Sequence, residues 1–137
     1  MVEARLRVIY GDTDQMGVVY YANYFRYFEF ARGEFLRAHD LAYRDIEREG
    51  ALLPVTEASC SYKASARYDD MVLVRAELTE LRRASLRFEY ALSREADGQR
   101  LCTGFTVHAC VGRDGKPRRI PGLLAARLKP KQPNQGG

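Results

Sequence analysis

Cysteine is scarce in this sequence, and its few positions are not typical of a disulfide framework. The three cysteines, Cys60, Cys102 and Cys110, are an odd number and form no CxxC pair. A disulfide-stapled scaffold is therefore excluded, and a reducing compartment is favoured. Cys102, His108 and Cys110 share one face of a predicted strand, but side chains along a flat strand cannot converge on one ion. We therefore expect neither a metal site nor a cofactor.

Long apolar runs are also missing. No segment approaches the roughly 18 continuous apolar residues that a membrane-spanning helix needs. The first ten residues, MVEARLRVIY, are charged from Glu3 onward and contain no signal-peptide core. These absences predict a protein without a membrane span that is located in the cytoplasm.

Several motifs of nucleotide binding and catalysis are absent as well. The sequence has no GxxxxGK, no GxGxxG and no GxSxG, which excludes the phosphate-binding loop, the dinucleotide-binding turn and the nucleophile elbow. The net charge is only +4, and most lysines and arginines are interspersed with acidic residues. A nucleic-acid binder would carry a denser basic stripe. We therefore expect a small phosphate-bearing ligand and no nucleic acid.

The residues that are present predict one α+β domain. A chain of 137 residues can bury a single core. Period-two alternation and helical spacing predict strands at residues 4–10, 53–63, 71–82, 85–93 and 101–111, and helices at residues 21–39 and 42–49, the second ended by Gly50. A further short helix is predicted after these strands, and residues 129–137 are predicted to be disordered. This order predicts a single domain over residues 1–128, with an antiparallel sheet and one central helix.

The alternation also predicts which side chains enter the core. In the fourth strand the inward residues are Leu86, Phe88, Tyr90 and Leu92. In the fifth strand they are Leu101, Phe105, Val107 and Val111. The long helix is apolar around most of its circumference, so its aromatic residues are expected to pack in the core. Because an open sheet leaves unpaired edges that proteins usually cover or pair, a homo-oligomer is expected.

The densest functional signal is the segment GDTDQMGVVYYANY, residues 11–24. Asp12 and Asp14 are two residues apart, so in an extended segment their carboxylates would point the same way. No Ser, Thr or Asp directly precedes Tyr21, so free backbone N–H groups there could polarise a carbonyl while a carboxylate attacks it or activates water. The alternative is a turn in which both aspartates satisfy backbone groups. Asn23 could then cap a helix that starts one turn later.

The run YGDTDQMGVVYYANY at residues 10–24 resembles the signature of the 4-hydroxybenzoyl-CoA thioesterase family. It is closer still to the bacterial acyl-CoA thioester hydrolase branch linked to the Tol-Pal envelope system. FEFARGEFL, YKASARYDDMV and ELRRASLRF follow in register, so that the resemblance covers roughly residues 5–125. It implies the hotdog fold, in which a five-stranded antiparallel sheet wraps one long helix. It also implies acyl-CoA thioesterase activity.

The resemblance further implies roles for individual residues. Asp14 would be the catalytic carboxylate, acting as a nucleophile or through water, while Asp12 would only shape the loop. The Tyr21 N–H would polarise the thioester carbonyl. Arg82 and Arg83 match a basic pair that contacts the CoA phosphates, with a solvated hairpin corner as the alternative.

Three further positions, Val19, Tyr20 and Ser85, complete the expected substrate contacts. The implied substrate is an acyl-CoA or an acylated carrier protein, and the implied assembly is a homodimer or homotetramer. Glu29 lies where the 4-hydroxybenzoyl enzymes carry an aspartate for the phenol of their substrate. A glutamate there disfavours a hydroxybenzoyl group and favours an aliphatic one. Alternatively, Glu29 pairs with Arg26 or Arg32 on the helix surface.

Two other functions stay open at this point. A hotdog dehydratase would pair a histidine with the acidic residue at the helix start, but neither His39 nor His108 lies in that loop. A non-catalytic acyl-carrier or envelope-complex binding protein would have no need for the Asp14 carboxylate.

Overall fold

The computed structural model describes residues 1–128 and residue 130. The strands are β1 (Val2–Arg7), β2 (Val55–Tyr62), β3 (Met71–Leu81), β4 (Ser85–Arg94) and β5 (Arg100–Ala109); the helices are α1 (Asn23–Ala38), α2 (Tyr43–Arg48) and α3 (Gly122–Arg127). The strands form one antiparallel sheet in the order β1-β3-β4-β5-β2. The predicted α+β architecture is therefore confirmed. The predicted disordered tail lies outside the described residues, apart from residue 130, and stays a prediction.

The core lies between α1 and one face of the sheet. The predicted inward residues of β4 are all buried, and so are Val72, Val74, Ala76 and Leu78 of β3. From α1 the buried residues are Tyr24, Tyr27, Phe28, Ala31, Phe35 and Leu36. Phe28 stacks on Tyr90 with 4.4 Å between ring centroids, and Phe35 meets Phe88 edge-on at 5.2 Å. Offset-stacked and edge-on contacts are the favourable geometries for aromatic pairs, so these contacts fix α1 on the sheet.

Gly104 allows α1 to approach β5 closely. A Cβ atom at this position would lie 2.7 Å from Cε2 of Phe28 and would collide with the carbonyl oxygen of Ser59 on β2. Only glycine fits beneath the Phe28 ring, as is common where another group approaches a strand closely. The contact sets the depth of α1 and of the loop that precedes it.

Two predicted boundaries differ from those observed. The first strand ends at Arg7 rather than at residue 10, because a single 3₁₀ turn, Tyr10–Asp12, follows it. Tyr10, the last residue of the predicted strand, belongs to this turn and is 78% exposed. The long helix begins at Asn23 rather than at residue 21, because the N–H of Asn23 closes a turn on the carbonyl of Tyr20.

The predicted inward face of β5 is wrong at its centre. Thr106 and His108 are buried beneath α1, whereas Phe105 and Val107 are half-buried on the opposite face. Phe105 is covered there by the guanidinium of Arg87, which lies 3.9 Å from the ring centroid. Hydrophobicity alone misassigned the face because the inner polar groups of β5 have hydrogen-bond partners, so their burial is tolerated.

Strand β2 forms one edge of the sheet. All its side chains except Cys60 are exposed, and within the described residues it pairs only with β5. Such an edge is a template for pairing with another strand, as the sequence pattern led us to expect. None of the described helices is long and apolar enough to cross a membrane.

Candidate active site

A short hairpin carries Asp14 to the start of α1. The N–H of Asp14 donates to the carbonyl of Val18 at 2.9 Å, and the N–H of Tyr20 donates to the carbonyl of Asp12 at 2.9 Å. Gly17 closes the turn with a φ of 79°, which glycine adopts without strain. The hairpin therefore lays residues 12–14 alongside residues 18–20.

Asp12 and Asp14 do not point the same way, contrary to the prediction from their spacing. Asp12 ends the 3₁₀ turn, where the alternation of an extended strand does not apply. It is 3% exposed and accepts hydrogen bonds from the Tyr27 hydroxyl at 2.8 Å and from Nη1 of Arg26 at 2.7 Å. Burial and this hydrogen bond raise the pKa of the Tyr27 phenol. Asp12 is thus a buried anchor of the loop.

Asp14 has one carboxylate oxygen in use and one free. Its Oδ1 accepts the N–H of Met16 at 2.8 Å, while Oδ2 has no hydrogen-bond partner in the described part of the chain. The alternative in which both aspartates satisfy backbone groups therefore holds for Oδ1 of Asp14 and also for Oδ2 of Asp12, which lies 3.5 Å from the N–H nitrogen of Ile9. The neighbouring Tyr21 phenol, and to a smaller extent the Asp14 carboxylate, raise the pKa of the Tyr20 phenol.

The N–H of Tyr21 has no partner among residues 1–128, unlike the N–H groups of Tyr20 and Asn23. The first residue before α1, Ala22, supplies no side-chain cap, so the N–H groups that open the helix are not satisfied by it. Asn23 does not cap the helix either, because its side-chain amide donates to the carbonyl of Asp12 at 2.9 Å. The structure thus contains the free amide that the sequence led us to expect at Tyr21.

A group of tyrosines surrounds this amide. The Tyr62 hydroxyl of β2 donates to the carbonyl of Tyr21 at 3.0 Å, and the rings of Tyr20, Tyr24 and Tyr62 lie within 4.8–6.2 Å of a neighbouring tyrosine ring. Burial raises the pKa of the Tyr62 phenol, so the hydroxyl is a neutral donor. No local pattern marked Tyr62 as part of the site, although the segment YKASARYDDMV, which carries part of the family resemblance, begins at this residue.

The other residues predicted near the helix have mixed positions. Val19 is 3% exposed, with its N–H bonded to the carbonyl of Ala66, whereas the Tyr20 side chain is exposed. Glu29 is exposed and makes no ion pair within the described residues. The alternative in which Glu29 pairs with Arg26 or Arg32 is wrong, because Arg26 binds Asp12 and Arg32 donates to the Tyr90 hydroxyl.

Arg82, Arg83 and Ser85 lie far from Asp14 in the same chain. They form the corner between β3 and β4, where the N–H of Arg82 donates to the carbonyl of Ser85 and Nε of Arg82 lies 3.4 Å from Glu80. β3 has 11 residues and therefore spans about 35 Å from the Asp14 end of the sheet to this corner. One chain alone does not bring the arginine pair and Asp14 together.

A cavity of about 430 Å³ opens beside the C-terminal half of α1. Most of its lining is apolar, including Leu36, Leu53, Leu86, Phe88 and Leu124. Its charged or titratable members are Glu29, Arg32, Tyr43 and His108. This cavity was not predicted from the sequence, because His108 lies on the face of β5 opposite to the one predicted to be inward. Ligand pockets of this volume, apolar with a few polar groups, are typical of small-molecule sites.

A row of hydrogen bonds lies beneath this cavity. Nδ1 of His108 is 3.0 Å from the carbonyl oxygen of Leu53, and Nε2 is 2.9 Å from the Thr106 hydroxyl. The Thr106 hydroxyl is 2.7 Å from the Tyr90 hydroxyl, which accepts from Nη1 of Arg32 at 3.1 Å. Burial lowers the pKa of His108 to about 4, so its imidazole is neutral near pH 7.

Comparison with known proteins gives concordant matches over nearly the whole chain. Residues 8–128 match the model of the thioesterase-like superfamily. The chain is 38% identical to a putative esterase of Aquifex aeolicus, over 91% of this chain and 95% of the relative. It is 35% identical to the acyl-CoA thioester hydrolase YbgC of Escherichia coli, over 90% of this chain and 92% of the relative.

The fold has a close counterpart among solved structures. A 1,4-dihydroxy-2-naphthoyl-CoA thioesterase from Synechocystis superposes with a TM-score of 0.85 and 25% identity, covering 91% of this chain and 93% of that chain. The superposition agrees with the strand order and the single long helix described above. The chain is therefore a thioesterase of the hotdog fold and belongs to the thioesterase-like superfamily.

Proposed function

We propose that the protein hydrolyses acyl-CoA thioesters to the free acid and CoA, with Asp14 as the catalytic carboxylate. The observation that carries this proposal is that Oδ2 of Asp14 and the N–H of Tyr21 both lack partners among the described residues. A free carboxylate oxygen and a free helix-start amide are the two groups that acyl transfer requires. The similarity to YbgC of Escherichia coli, an acyl-CoA thioester hydrolase, supports the choice of substrate class.

The proposed reaction begins with the thioester carbonyl oxygen accepting a hydrogen bond from the Tyr21 N–H. As the carbonyl carbon is attacked, negative charge grows on that oxygen and is stabilised by the amide and the α1 dipole. Asp14 either attacks the carbon itself, giving a mixed anhydride that water then hydrolyses, or removes a proton from an attacking water. In both routes the C–S bond breaks, and CoA leaves as a thiolate that is protonated afterwards.

We further propose that the remaining substrate contacts come from two copies of the chain. Because the β3–β4 corner lies about 35 Å along the sheet from the Asp14 end, Arg82 and Arg83 would bind the CoA phosphates of a site whose Asp14 belongs to another subunit. The edge of β2 that pairs with no other strand of the described residues offers a surface for such a homo-oligomer. Around the thioester, the exposed ring of Tyr20 would flank the acyl group, buried Val19 would support it, Glu29 would face it, and Ser85 would adjoin the phosphates.

Asp14→Asn tests the central claim, and Asp114→Asn is its matched control. Asp114 accepts the N–H of Lys116 at 3.0 Å, two residues along, as Asp14 does with Met16, so both substitutions alter the same kind of turn. On a panel of acyl-CoA thioesters with thiol detection, Asp14→Asn should lower kcat/KM by about 10²–10⁴-fold. Asp114→Asn should leave it unchanged.

Retention of near-normal kcat/KM by folded Asp14→Asn would show that another group is catalytic. Binding of acyl-CoA by the wild-type protein without turnover of any thioester would favour a non-catalytic acyl-binding protein.

A further inference from the structure

We infer that Arg32 is a specificity-determining residue, and that the cavity beside α1 accepts an aliphatic acyl chain carrying a neutral oxygen, a hydroxyl or oxo group, towards its far end. This inference rests on the proposed function for the thioester that delivers the acyl group. Its own basis is the row of hydrogen bonds beneath the cavity. This row provides an acceptor for one N–H donor of the Arg32 guanidinium and for none of the others.

The donor and acceptor of every hydrogen bond in the row can be assigned by starting from the Leu53 carbonyl at one end. The carbonyl oxygen of Leu53 can only accept, so Nδ1 of His108 carries the imidazole proton. Nε2 of the neutral ring then accepts, and the Thr106 hydroxyl must donate to it. Thr106 in turn accepts from the Tyr90 hydroxyl. With its one proton used, the Tyr90 oxygen is left to accept from Arg32.

This order fixes one N–H of Arg32 and leaves the others free. A guanidinium has five N–H donors, and within the described residues only the bond from Nη1 to Tyr90 is made. Arg32 is half-buried and lines the cavity together with apolar side chains such as Leu36 and Phe88. Donors in such a place need an acceptor, because an unpaired charged donor is costly in apolar surroundings.

The chemical nature of the acyl chain that fills the cavity therefore decides how well a substrate binds. A plain alkyl chain would displace the solvent that satisfies the Arg32 donors and would offer nothing in return, whereas a chain with an oxygen would restore the hydrogen bond. Sites that hydrogen-bond a substrate hydroxyl reject the analogue that lacks it. The Glu29 carboxylate lines the same cavity, so a neutral oxygen fits better than a second negative charge.

The test compares matched acyl-CoA pairs in Arg32→Met and in the control Arg37→Met. Arg32→Met keeps most of the side-chain length and removes the donors, while Tyr90 can still donate to Thr106, so no buried donor is orphaned. Arg37 is on the same helix but exposed, and it pairs with Glu34 at 2.7 Å. The substrates are hexanoyl-, octanoyl- and decanoyl-CoA, their ω-hydroxy counterparts, and suberoyl-CoA as the carboxylate arm.

The wild-type protein should prefer an ω-hydroxyacyl-CoA over the alkanoyl-CoA of the same length by about 10- to 100-fold in kcat/KM. Arg32→Met should abolish this preference by lowering kcat/KM for the ω-hydroxyacyl substrates far more than for the alkanoyl ones, and Arg37→Met should keep both the preference and the activity. Loss on all substrates equally would give Arg32 a structural role and overturn the inference. Absence of a preference in the wild-type protein, or a preference for suberoyl-CoA above the hydroxyacyl substrates, would also overturn it.

A binding measurement separates this inference from the thioesterase proposal. Free ω-hydroxy acids and the corresponding alkanoic acids are titrated into wild-type protein, Arg32→Met and Arg37→Met, and the shift in Tm is recorded. An Arg32-dependent preference for the hydroxy acids supports the inference even if no thioester is turned over. Equal binding of both acid series by all three proteins would contradict it while leaving the role of Asp14 untouched.

Discussion

The Tyr27 hydroxyl and Oδ2 of Asp12 are 2.8 Å apart, and both side chains are almost completely buried. Tyr27 belongs to α1, and Asp12 precedes the hairpin that carries Asp14. Their hydrogen bond therefore ties the carboxylate side of the proposed site to the helix whose start carries the Tyr21 amide. Asp12 acts by holding these parts together and has no role in the proposed chemistry.

Asp12→Ala is expected to destabilise the protein by about 1–3 kcal/mol, because it leaves the buried Tyr27 hydroxyl without an acceptor. Unfolding in urea measures the change. In the background of Tyr27→Phe, where the buried hydroxyl is already absent, the same substitution should cost less. Equal costs in both backgrounds would mean that the Tyr27–Asp12 bond does not hold the loop.

Gly104→Ala is expected to destabilise the protein by about 1–3 kcal/mol, the usual effect of overpacking. The new methyl group would collide with Phe28 and with the backbone of Ser59. Gly122→Ala is the control, because a Cβ there has no atom within 4 Å and alanine favours a helix. Thermal unfolding of both variants checks the prediction. A Gly104→Ala protein as stable as wild type would show that α1 does not pack closely against β5 at this position.

Stability should fall at acidic pH through His108. Its pKa of about 4 in the folded protein lies below the roughly 6.5 of an unfolded histidine. Between these values the unfolded chain binds a proton that the folded protein does not. The His108 contribution is therefore fully present above about pH 6.5 and is lost as the pH falls towards 4, a loss of about 3 kcal/mol.

Urea unfolding of wild type and His108→Gln across this range isolates that contribution, since the carboxylates titrate in both proteins. The difference in unfolding free energy between the two should shrink as the pH falls. A difference that stays constant with pH would show that His108 is not held neutral by the fold.

Charge reversal at Arg82 and Arg83 should raise KM for acyl-CoA more than KM for a truncated thioester without the nucleotide. Only the phosphates of the substrate interact strongly with these guanidinium groups. Steady-state kinetics on both substrates measures the ratio, and equal effects would make the pair a solvated corner.

Subunit mixing tests whether Asp14 and the arginine pair act from different chains. Asp14→Asn and the Arg82→Glu/Arg83→Glu protein are unfolded together and refolded as a mixture, with each variant refolded alone as the control. Hybrid oligomers contain some sites with neither defect, so kcat/KM for acyl-CoA should exceed that of both parents. No gain in a mixture shown to contain hybrids would place both groups in one chain.

The sequence predicted those parts of the fold in which hydrophobic alternation and burial coincide. β3 and β4 alternate cleanly, and their inward residues are the buried ones. β5 was assigned to the wrong face because Thr106 and His108 are polar yet satisfy each other, which a hydrophobicity pattern cannot register. The two-residue spacing also gave a wrong direction for the Asp12 side chain. Asp12 is buried in a 3₁₀ turn through its contacts with Tyr27 and Arg26 of α1, which the spacing does not reveal.

The main-chain part of the proposed site could be predicted from the sequence, but the side chains around it could be predicted less well. An uncapped helix start implied the free amide of Tyr21, a local property that the chain carries within a few residues. The Tyr62 hydroxyl that holds the carbonyl of Tyr21 comes from β2, 41 positions away. Its approach depends on the pairing of β2 with β5, which no local pattern specifies.

The hydrogen-bond donor proposed to polarise the thioester carbonyl is the main-chain N–H of Tyr21. It therefore does not depend on which side chain is encoded at position 21. Nineteen of the twenty amino acids would supply the same main-chain N–H, and only proline would delete it. Side chains at position 21 can therefore diversify to suit new acyl groups while the carbonyl-polarising group is inherited unchanged. A fold in which a main-chain group polarises the carbonyl can change its substrate preference by substitutions at the helix start. The carboxylate at position 14 has no such freedom, because a side chain supplies it.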